Sequence, residues 1–266
     1  MITPRWLAFR WGAAAMVLAE ALKIKWAEMP TYNTIMAVAA GAGLLLVVTL
    51  GYLVVRGRKI TPDGWALAFG VLGLILTVTG LHMTLTWPLA AQGFPFDNVI
   101  FGEPALAFGV LQLAAAAFLW KRGAVLFGAG GGGSQAAPVD DSDDARADVV
   151  ARVSRLAGPV SVFVFGMGLG CFGIAAAGWR YTLFAAPPQE PISGTFANVP
   201  VLEATFISML YVFVGVGAVL FPFVLRGRQP VLLAVTGVVW GLAGLAFLFF
   251  GGLNYFTHIG LIINTM

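Results

Sequence analysis

The chain has 266 residues, of which 59% are hydrophobic and 10% charged, with a formal net charge of +3. A mean hydropathy of +0.90 lies far from the balance of a soluble domain of this length and makes lipid the chain's main solvent. The basic residues serve orientation and headgroup contact and give nucleic acid binding no support. The single Cys171 forms no internal disulfide.

Six apolar runs are long enough to cross a bilayer, at residues 34–55, 64–87, 103–120, 158–179, 204–225 and 230–253. They are continuous rather than alternating, so the expected fold is all-α with six transmembrane helices and no barrel. The expected organisation is an N-terminal extension (1–28), three spans (29–123), a flexible acidic linker (124–150) and three more spans (151–266).

Three readings of residues 1–28 stand side by side: a signal-like segment ending near Ala19-Glu20-Ala21, a peripheral interfacial helix, and translation from Met29. The favoured one is the peripheral helix. Next comes Tyr32-Asn33 at the head of the first span, which runs to Arg56, Arg58 and Lys59 and turns at Pro62-Asp63-Gly64. The return span ends at His82.

Phe96 to Glu103 and Phe196 to Glu203 both read F-x-N-V-x-x-x-E, and each opens a long apolar run. A fainter third copy keeps Asn33 but has Val38 in place of the acid. Lys121 follows Asn98 by 23 residues, the spacing that also separates Asn33 from Arg56. Asn33, Asn98 and Asn198 thus mark three expected helical hairpins, a parallel repeat of a two-helix unit.

The linker interrupts the middle hairpin with a glycine run and then Asp140, Asp141, Asp143 and Asp144. It carries too little apolar surface to order itself. From Asp148 the pattern Val149, Val150, Val153, Leu156 predicts a helical lead-in to the fourth span.

Arg56, Arg58, Lys59, Lys121, Arg122, Arg146, Arg152, Arg155, Arg226 and Arg228 gather at one set of span ends, which the charge rule places in the cytoplasm together with the linker. The C-terminus and the repeated motif then lie on the other side of a cell membrane.

At that far end the scheme gathers His82, Glu103, Arg180, Glu203, Asn254 and His258 in one polar layer. Two His and two carboxylates, His82, Glu103, Glu203 and His258, are the donor types a divalent metal takes, and equally the parts of a proton relay. Haem ligation by the two histidines is a third possibility. Against these stands a structural reading. Glu103-Pro104 is what a helix start looks like, with an acid at the positive end of the dipole and a Pro whose missing N–H costs nothing in the first turn. The aromatic residues at that edge, Trp87, Trp179 and Tyr255 among them, fit an interfacial belt. No hydrolase, zinc-protease, thiol or dinucleotide motif is present, so no catalytic residue is assigned.

Leu85-Thr86-Trp87-Pro88-Leu89, then Asn98-Val99-Ile100-Phe101-Gly102-Glu103-Pro104 and Leu106-x-Phe108-Gly109, resemble the signature of an uncharacterised multi-pass membrane family known as domain of unknown function 981. Tyr32-Asn33-Thr34 is similar as well. The resemblance covers about residues 29 to 255 and implies a helical membrane protein, with no activity or catalytic residue to carry over.

The reading of function from sequence is a membrane protein without evident catalysis, a structural or accessory component of an assembly that joins a membrane protein partner or further copies of itself. The rival is a small transporter, or a protein binding a metal or cofactor through the polar layer.

Overall fold

A computed structural model describes residues 25–87, 94, 96–127, 143–227 and 229–266. The described part of the chain is mainly helical, with no strand among the described residues. A short turn of helix at Trp26–Glu28 precedes α1 (Asn33–Val55) and α2 (Pro62–Thr86). A π-helical turn, Asn98–Gly102, leads into α3 (Glu103–Leu126), and α4 (Asp143–Ala157), α5 (Ser161–Tyr181), α6 (Pro200–Gly227) and α7 (Pro230–Thr265) follow.

All of these except α4 are long and apolar enough to cross a membrane, α3 together with its π turn, which makes six candidate spans. Most of residues 1–28, and with them the expected peripheral helix, lie outside the described residues, as does the glycine run of the linker.

Local chemistry sets the helix ends. Proline opens α2, α6 and α7 and stands in the first turn of α3, where a missing N–H leaves nothing unpaired. Gly158 and Pro159 separate α4 from α5, and the Ser161 hydroxyl donates to the Gly158 carbonyl at 2.6 Å.

Two boundaries depart from expectation. The linker is narrower than residues 124–150: α3 runs on to Leu126, and α4 begins at Asp143, with acids at the favourable end of its dipole. The last helix does not stop near 253 but continues to Thr265, since no Gly-Pro break follows Asn254. Its 36 residues span roughly 54 Å at 1.5 Å each, longer than the ~30 Å apolar core of a bilayer.

Glycine decides which helices meet. A Cβ on Gly109 would stand 2.5 Å from the Thr77 backbone nitrogen, and one on Gly73 would stand 2.8 Å from that of Leu113, so α2 and α3 touch backbone to backbone. Gly168 of α5 lies against Gly215 and Ala218 of α6 in the same way. Gly41 of α1 lies against Gly244 and Leu248 of α7, and Gly251 lies against Ala37 and Val38. Small residues are how helices gain close packing where lipid supplies no hydrophobic gradient.

The three tight antiparallel seams are therefore α2/α3, α5/α6 and α1/α7. Of the partners in chain order, α6 and α7 pack most closely, α1 and α2 touch more lightly, and α3 barely meets α5. Each helix that starts with a motif Asn packs along the span before it, with α7 standing before α1.

Across the seams, the Trp240 indole N–H donates to the Val214 carbonyl at 3.1 Å and joins α7 to α6. Phe101, Phe184, Tyr211 and Phe247 form a run of ring contacts with centroids 6.1 to 6.4 Å apart, which fastens α3, the segment after α5, α6 and α7 together. These rings lie toward the end of the bundle where α1, α3 and α6 begin and α2 and α5 finish, here called the motif end.

Candidate functional site

Polar groups at the motif end fall into separate neighbourhoods. His82, exposed near the end of α2, meets the Tyr32 hydroxyl through Nδ1 at 2.9 Å, a contact that closes α2 onto the start of α1. Glu103 is exposed in the first turn of α3, where an acid complements the helix dipole. Arg180 is exposed at the end of α5, its guanidinium 5.5 Å from the ring centre of Tyr181. Asn254 is buried in α7.

Glu203 and His258 share a neighbourhood built by the connection from Thr182 to Val199. Its Ala186 N–H donates to Glu203 Oε2 at 2.6 Å, so the acid ties the connection to the first turn of α6. Gln189 accepts from Asn264 Nδ2 at 2.8 Å, and Pro191 packs on Gly260, where a side chain would collide with it. Between these ties Glu190 Oε1 comes within 3.9 Å of His258 Nε2. Glu203 is close enough to Glu190 for their charges to interact. Burial raises the pKa of the Glu190 carboxyl, and Thr257 beside it opposes that shift.

Glu190 is the single acid of the 182–199 connection, and its sequence context does not mark it. Its place becomes apparent once α7 is seen to run past His258. Of the six residues of the expected polar layer, contacts draw Glu203 and His258 into one neighbourhood, while His82 pairs with Tyr32 in another. Among the described residues no three His, Cys, Asp or Glu side chains stand together so as to hold a metal ion.

A second polar neighbourhood centres on the π turn. Asn98 is 2% exposed, and neither its amide oxygen nor its amide nitrogen has a hydrogen-bond partner among the described residues. Asp97 beside it has its carboxyl pushed up to about 7 by burial and lies within electrostatic reach of Tyr211. The Tyr211 hydroxyl donates to the Ile100 carbonyl at 2.7 Å, which pins the turn to α6. A π turn leaves a carbonyl free to accept such a bond, and turns of this kind recur at functional sites.

The three motif asparagines end up in different states. Asn98 is buried, Asn33 is half-buried with its side-chain oxygen enclosed and unpartnered, and Asn198 is exposed in the turn before α6. At mid-span Gln112 is fully buried with both amide atoms unpartnered, beneath Gly43 of α1 and Gly73 of α2.

Among families of known proteins, the one described as a protein of unknown function (DUF981) matches residues 29–260. No curated protein and no solved structure matches the chain.

Proposed function

Because the chain belongs to the DUF981 family, whose function is unknown, we propose from its own geometry that this integral membrane protein works without catalysis, as a structural or accessory component of a membrane assembly. The observation that carries the reading is the outer face of α5. Its opposite side is gripped by α6 through Gly168, while a Cβ on Gly166, Gly170 or Gly173 would meet nothing within 4 Å among the described residues. Exposed Val162, Phe163 and Leu169 flank those glycines. A helix held on one side only, with a smooth face on the other, suits a further helix. In this reading the basic span ends lie in the cytoplasm and the motif end outside, and a reporter fused after Gly123 is active only on the cytoplasmic side.

The test is the native mass of the protein extracted directly from its membrane in polymer discs. An assembly gives a mass well above the 28.0 kDa of one chain, and Gly170→Leu returns it to one chain while the fold survives. A single chain throughout would remove the proposal.

The Glu190–His258 pair, with Glu203 within electrostatic reach of Glu190, favours one other reading, a small transporter or ligand-binding protein. Metal and haem content of the purified protein, beside a His258→Ala variant, tests it. A stoichiometric metal or haem that the variant loses would put this reading first.

A further inference from the structure

The 182–199 connection lies across the motif end as a strap, held at Glu203, Asn264 and Gly260. Glu190 is the one acid on its underside. Its side chain is 10% exposed, and that of His258 is 17% exposed.

The groups that face Glu190 come from two helices. From α7 there are His258, with Nε2 at 3.9 Å, and Thr257, which is fully buried. The Thr257 hydroxyl is near enough to favour the carboxylate without the alignment of a made hydrogen bond. From α6 there is Glu203, whose carboxylate already accepts the Ala186 N–H. Arg180 at the end of α5 is exposed and turned over the ring of Tyr181.

Two acids enclosed together in a poorly solvated place do not ionise together at low cost, because each charge loses water and repels the other. One proton relieves both penalties. On Glu190 it makes the acid neutral and able to donate toward the imidazole, and on His258 it makes an imidazolium facing a carboxylate. The remaining imidazole nitrogen, Nδ1, is buried without a partner, so His258 has no competing bond that fixes its tautomer.

We infer that Glu190, Glu203 and His258 share one exchangeable proton, and that this proton holds the strap on the ends of α6 and α7. When the proton leaves for the surrounding water, the Glu190 and Glu203 carboxylates repel each other beneath the strap. The strap then lifts to solvate it. The site operates whether or not the chain joins an assembly.

The experiment is hydrogen exchange of residues 183–199 in lipid nanodiscs across a pH series, corrected for intrinsic exchange, beside infrared spectra of the same samples. The strap is expected to be protected at low pH and to open about tenfold more for each pH unit above the transition, the signature of one proton. In an Asp97→Ala background, which removes the other carboxyl that burial keeps protonated, a carboxylic acid band is expected to persist at about pH 6, where an exposed glutamate of pKa ~4.3 is ionised.

Glu190→Gln, a neutral isostere, keeps the strap closed at every pH and weakens that band in the same Asp97→Ala background. Glu203→Gln lowers the midpoint, because the proton loses the negative charge that favours it. A strap whose protection does not vary with pH overturns the proposal, as does a transition unchanged in Glu190→Gln. Wild-type spectra without the acid band do so independently of any variant's folding. If the midpoint moves when sodium or calcium replaces choline in the buffer, the occupant is an inorganic cation and the proton assignment fails.

Discussion

Asn98 and Asn198 occupy the same place in the two motif copies, yet Asn98 is 2% exposed inside the bundle and Asn198 stands in the open before α6. The acids five residues on behave the other way round. Glu103 is exposed, whereas Glu203 reaches into the strap and accepts a backbone N–H. The difference comes from what surrounds each helix start. In the first copy, a Cβ on Gly102 would lie 3.0 Å from the Thr84 hydroxyl oxygen and 3.1 Å from the Met83 side chain, so α2 closes directly over the start of α3 and drives Asn98 inward. In the second, the strap lies against the first turn of α6 and draws in the acid. The same short motif thus stands at two helix starts with two different polar neighbourhoods.

The strongest way to break the comparison acts eleven residues past each Asn. Gly109 sits against the backbone of α2, and its counterpart is Met209. Gly109→Leu is expected to cost about 3 kcal/mol or more by forcing the seam apart, and Met209→Leu less than about 1.5 kcal/mol as a volume-conserving change. Unfolding of each variant in mild detergent, titrated with SDS, measures both, and equal costs would show that the α2/α3 seam is not closed through Gly109.

The next largest effect concerns pH. The second residue of the motif is Asp97 in one copy and Ala197 in the other. Burial pushes the Asp97 carboxyl up to about 7, so the folded protein holds a proton there that the unfolded chain has already released. The contribution of this group to stability is full below about pH 4, the unfolded value, falls as pH rises toward about 7, and is flat above. Asp97→Ala, which makes the first copy read like the second, should remove that part of the slope from a stability–pH curve. An unchanged curve would place Asp97 in water.

The smallest expected effect is that of Tyr211→Phe, which removes the bond from α6 to the Ile100 carbonyl and should cost about 1 kcal/mol. The same detergent titration reads it. Asn198→Ala, its control in the other copy, should stay within about 0.5 kcal/mol, as exposed substitutions do.

Much of this architecture is written in the sequence. Continuous apolar runs with no polar alternation leave lipid-embedded helices as the one arrangement that pairs every backbone group, so the six spans and their starts at Asn33, Asn98 and near Asn198 are legible directly. The same uniformity hides how the helices pair. Spans that are apolar all round carry no stripe to mark an inner face, and the basic turns suggest partners by chain order alone. Which glycines meet a backbone, Gly41, Gly109 and Gly168, and which face open space, Gly166, Gly170 and Gly173, is decided by tertiary packing. The candidate site was half legible for the same reason. Glu203 and His258 stand out as ionisable groups near apolar runs, where their cost is visible. Glu190 lies in a connection whose composition says nothing of burial, and only the extension of α7 beneath the strap brings the imidazole and the second acid to it.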